Sequence, residues 1–89
     1  MAHFAMIVNG KVEKVLVVSN DDCGGGDFPE SEPIGQAFLA SLGLTGLWLQ
    51  CSYHANFRGY YPDAIYTYES SLGEYGEFVP PSPPAPPIK

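Results

Sequence analysis

Apolar and polar positions change rhythm several times along this chain, and each change marks an element. Ala2 to Val8 and Val12 to Val18 are apolar, β-branched-rich runs separated by Asn9-Gly10-Lys11. Both central residues of a type I′ turn need positive φ, which Asn-Gly supplies, so the pattern predicts an N-terminal β-hairpin. His3 alternates with Phe4 across the pleat, while Lys11, Glu13 and Lys14 keep one side of the second strand wet. The alternation stops at Val15-Leu16-Val17-Val18. Such an unbroken run implies burial on both faces or cover by a neighbour.

Ser19 to Pro29 follows neither period, and its Gly24-Gly25-Gly26 and flanking polar residues read as a loop. It is long for so small a domain, which makes it a candidate contact surface. Ser31-Glu32-Pro33 looks like a helix start, with Ser31 as the cap and proline tolerated in the first turn. Ile34, Ala37, Phe38 and Leu42 then recur at helical spacing, and Gly43 supplies a left-handed stop. One short helix, over about 32–42, is expected to lay Ile34, Phe38 and Leu42 on a sheet. Leu47 to Tyr53 is the next predicted strand, with Trp48 the largest core residue. Asn56 to Asp63 turns the chain, Ala64 to Tyr68 alternates as a strand, and Tyr75 to Val79 pairs back after a turn at 70–74. The expected fold is mainly β, a small α+β domain: the hairpin, later antiparallel strands and one helix.

The last ten residues break every period. They hold six of the chain's nine prolines, Pro80, Pro81, Pro83, Pro84, Pro86 and Pro87. Each lacks a donor and fixes φ, so the run predicts a polyproline II arm about 25–30 Å long. Residues 1–79 are therefore read as one β-rich domain and 80–89 as an extended arm. A stiff arm loses little entropy on docking and suits a strap along a neighbouring protein. Pro80-x-x-Pro83 and Pro83-x-x-Pro86 also fit the minimal pattern read by SH3-type grooves, although no arginine flanks them, and an unstructured tail is the plain alternative.

With 89 residues there is room for one domain, and a chain of this size buries only about 60% of its unfolded surface. The formal charge is −6, ten acids against four bases, so no basic stripe offers itself to phosphates and nucleic acid is not an expected partner. No long apolar run suggests a signal peptide or membrane span, and neither is expected. Gly24-Gly25-Gly26 lacks the Lys-Ser/Thr of a phosphate loop, and Asp21, Asp22 and Asp27 do not follow calcium-loop spacing. Cys51-x-x-His54, with Cys23 and His3 elsewhere, makes only one close pair of zinc ligands and places no oriented base beside a nucleophile. Two cysteines are too few for a disulfide framework. No enzyme, cofactor or metal is expected.

What stands out is aromatic. Phe57, Tyr60, Tyr61, Tyr66, Tyr68, Tyr75 and Phe78 place seven of the twelve aromatics within 22 positions. A strand hides only alternate residues, so about half of these are core and the rest face solvent or a partner. Tyrosine suits interfaces because it buries area and keeps a hydroxyl for the wet edge. Together with the arm prolines these seven form the candidate partner-binding set.

The run from Cys23 to Leu44, continued by Trp48-Leu49-Gln50-x-Ser52-Tyr53-x-Ala55-Asn56-Phe57-Arg58 and Ile65-Tyr66-Thr67-Tyr68, resembles a group of short reading frames from tailed phages of aquatic bacteria, cyanophages especially. Those chains open with Met-Ala-His-Phe-Ala and a hairpin ending in Val-Val, as Met1–Ala5 and Val15–Val18 do here, and the likeness covers nearly everything before the arm. Where they read Tyr-Ala-Gly-Ile-Gly-Tyr-Thr-Tyr-Asp, this chain has Tyr61-Pro62-Asp63-Ala64-Ile65-Tyr66-Thr67-Tyr68-Glu69. No catalytic residues come with the resemblance. It implies a virion protein, assembled in the cytoplasm of a bacterial host. The expected function is a capsid decoration or cement protein bridging coat subunits, with the major capsid protein, another virion protein or itself as partner. A tail, baseplate or fibre-associated component is the alternative, and a small host-interaction factor outside the virion a second one.

Overall fold

At Asn9-Gly10 the backbone takes φ of 52° and 78°, the left-handed pair that asparagine and glycine adopt at least cost. In the computed structural model, which describes residues 1–81, this turn joins β1 (Ala2–Val8) to β2 (Lys11–Val18). Their register shifts between Met6 and Ile7, leaving Glu13 as an extra residue that bends β2. A single 3₁₀ turn (Asn20–Cys23) leads to α1 (Ser31–Ser41), then β3 (Leu47–Cys51), β4 (Thr67–Glu69) and β5 (Glu77–Val79). One sheet results, in the order β3-β1-β2-β4-β5, with every neighbouring pair antiparallel. The fold is the expected mainly β, small α+β one. Pro83, Pro84, Pro86 and Pro87 of the predicted arm lie outside the described residues.

Alternation along β1 divides the core in two. Phe4 and Ala2 pack with Val18, Trp48, Cys23 and Leu39 on the helix side. Ala5 and Ile7 pack with Val12, Leu49, Cys51 and Phe78 on the other, beneath Tyr61, Tyr66 and Tyr68. Trp48 is buried as its composition and context predicted. Cys23 is buried too, which ties the glycine-rich loop to the core at that point, and both cysteines are free thiols.

Three expectations need correction. The helix presents Ser31, Gly35 and Leu39 to the sheet, with Phe38 half-buried, whereas Ile34 and Leu42 are 47% and 59% exposed. Close approach decides this: a Cβ at Gly35 would lie 2.7 Å from Phe4 Cε1 and 2.9 Å from Cys23 Sγ, so only glycine lets α1 settle on the Phe4 ring. Ser31 does not cap the helix. Glu30 holds that position without a side-chain bond, and the buried Ser31 hydroxyl donates instead to Gln50 Oε1 at 2.7 Å. Finally, the strand predicted over 64–68 contracts to Thr67–Glu69 because Ile65 turns the chain at φ 68°. The segment still bonds to β2, through Val12 N–H to Tyr66 O (2.7 Å) and Ile65 N–H to Val12 O (2.9 Å).

Candidate functional site

Arg58 sits in a left-handed turn (φ 58°) with its side chain 6% exposed. Burying a guanidinium is costly unless its charge and donors are matched. Here they are. Both oxygens of Glu32, in the first turn of α1, accept from Nη1 and Nη2; Nη1 also donates to Gln50 O (3.0 Å) and Nε to Tyr75 O (3.0 Å). The Phe28 ring lies 5.1 Å and the Tyr68 ring 5.8 Å from the guanidinium carbon, distances at which ring quadrupoles attract a cation. Glu32 completes the set by accepting from Gln50 N–H at 2.8 Å. Four of the five guanidinium N–H groups are thereby used. The cluster is a lock between helix, β3 and the late segment.

The register of β1 on β3 sets His3 opposite Cys51, and that of β1 on β2 sets His3 opposite Val17. Tyr53, two residues beyond Cys51, therefore reaches the His3 ring and stacks on it, with centroids 5.6 Å apart and planes 22° from parallel. Tyr61 meets His3 and Tyr53 by its edge, at 5.5 and 5.3 Å, and His54 meets Tyr53 the same way at 5.3 Å. These rings form a shelf on the face away from the helix. Tyr53 is 64% exposed, and Val17, on the far side of β1 and opposite His3, is 54% exposed. Burial lowers the His3 pKa, favouring a neutral ring, and raises that of the Tyr61 hydroxyl. Cys51, beneath the shelf, is pushed up to about 12 by burial, so its thiol stays protonated and a weak nucleophile near neutral pH. What the shelf offers is a cluster of interlocked rings with the exposed ring of Tyr53 on its surface, aromatic area that can be buried against another molecule.

The predicted partner-binding residues divide among these features. Phe57 stacks on Phe28 at 3.9 Å and Tyr75 meets Phe28 edge-on at 4.9 Å, both around Arg58. Tyr66 and Tyr68 pack half-buried on the second core, the Tyr68 hydroxyl donating to Tyr75 O at 2.7 Å. Phe78 is 1% exposed; it is a core residue with no surface to offer, and its place in the partner set is corrected. Tyr61 belongs to the shelf, and Tyr60 is 62% exposed. Pro80 is half-buried and Pro81 exposed, just past β5. Reasoning from sequence missed His3 and Tyr53 as site residues. Only the β1–β3 register brings them together, and the available hint was the polar His3 inside an apolar run. Compared with protein-family models, curated proteins and solved structures, the chain matches none.

Proposed function

We propose that this chain is a structural protein of a tailed-phage particle, and within that class a capsid decoration or cement protein that bridges neighbouring coat subunits. The observation that carries the reading is the shelf of His3, Tyr53 and Tyr61, which exposes the Tyr53 ring, with the exposed Val17 opposite His3, apolar surface of the kind that adheres to another protein. The phage resemblance of the sequence supports the particle as the setting, and prolines beginning directly after β5 support a strap to the next subunit. A net charge of −6 keeps such a chain soluble before it docks.

The test is binding of the full chain to purified capsids that lack it. Tyr53→Ser removes the exposed ring of the shelf without touching the core, and is expected to weaken binding about tenfold or more. Unchanged affinity would remove the shelf from the account.

A further inference from the structure

Edges of sheets template pairing with other chains, and this fold seals most of its own. Along β3, the outward carbonyl of Trp48 accepts from Gln36 Nε2 at 2.6 Å. The outward N–H and C=O of Gln50 are taken by Glu32 and Arg58. On β5, Phe78 N–H donates to Arg58 O at 2.9 Å in the bridge with Gly59. The first part of β2 is covered by residues 65–68, through Val12 and Gly10. What is left is β2 from Lys14 to Val18, which pairs with β1 alone among the described residues.

Which groups face that open side follows from the ladder. Gln50 points away from β1, so its partner Phe4 points toward β2, and Leu16, opposite Phe4, points back at β1. Alternation then turns the N–H and C=O groups of Val15 and Val17 outward. No described residue bonds to them. The residues from 15 to 18 are Val-Leu-Val-Val, with no inward charge, proline or bulge among them; these are the devices that ordinarily blunt an edge.

We propose that this edge is a self-association surface: a second copy of the chain pairs with it, antiparallel, about a two-fold axis at Leu16. The strand is self-complementary in that register. Val15 of each copy faces Val17 of the other with both backbone bonds made, and Leu16 faces Leu16. Charge agrees as well. Lys11 and Lys14, with Glu13 between them, give one end of β2 a net charge of +1, and Asp21 and Asp22 lie beyond the other end, so antiparallel pairing sets the net basic end of each copy by the acidic end of its mate. Beside Val15 the edge opens into a groove of about 560 Å³ between β2 and the segment from Tyr61 to Tyr66, which admits the mate's Val17. Pairing also covers part of Val17, now 54% exposed. The inference does not depend on the phage reading.

Amide hydrogen exchange of the full chain over a range of concentrations, alongside sedimentation equilibrium, tests it. Protection of the Val15 and Val17 amides is expected to rise with concentration in step with a monomer–dimer equilibrium. Val17→Pro removes an N–H that the β1–β2 ladder does not use, and is expected to weaken the dimer about tenfold or more with the monomer fold retained. Lys11→Glu with Lys14→Glu is expected to weaken it, and that pair combined with D21K and D22K to restore it. Fast exchange of both amides at every concentration would overturn the proposal. So would protection that ignores concentration and disappears on deleting 82–89, which would give the edge to the chain's own arm, or protection that arises only on adding phage particles to a monomeric chain.

Discussion

At Gly35 a single carbon sets the distance between two layers. An added methyl would press on Phe4 Cε1 at 2.7 Å and on Cys23 Sγ at 2.9 Å, both of residues at most 1% exposed. Neither can move aside in a close-packed interior. Gly35→Ala should therefore destabilise the fold by about 2 kcal/mol despite alanine's better helix propensity, as read from the urea midpoint. A midpoint at or above the wild-type value would mean that α1 does not rest on the Phe4 ring. The same glycine explains why the helix face was misjudged from its pattern. Ile34, Phe38 and Leu42 form the more apolar stripe, yet the stripe through Ser31, Gly35 and Leu39 goes inside because it permits closer approach.

Among the elements, the hairpin was legible because its information is local: Asn9-Gly10 dictates the turn and the alternating residues dictate the faces. The seal on β3 was not. It joins Glu32 to Gln50 and Arg58, which lie 18 and 26 residues further on and meet it only once the helix and sheet have packed. Likewise the shelf depends on a strand register between His3 and Cys51 that no short-range signal announces. Because Arg58 and Glu32 are both largely buried, with side chains 6% and 16% exposed, losing one leaves the other uncompensated. Arg58→Met is expected to cost about 3 kcal/mol, and R58M with Glu32→Gln to recover part of that loss. Chemical denaturation of the single and double variants measures the coupling. Full additivity would show that the two side chains act independently.

For the molecule as a whole, one small domain presents three unlike surfaces. The helix side exposes Ile34 and Leu42, the far face carries the aromatic shelf, and the sheet ends in an open edge at Val15 and Val17. A chain this short has a small interior to stabilise it, and partners that bind only the folded form add stability by mass action. The proposed reading places copies of the chain side by side on a larger shell. The proposed decoration role is tested most directly by the copy number of the chain in purified tailed-phage particles, by quantitative mass spectrometry against the major coat protein. A decoration role predicts copies on the order of hundreds per particle, comparable with the coat subunits they bridge. A handful of copies would assign the chain to the tail or baseplate, and its absence from washed particles would contradict the account outright.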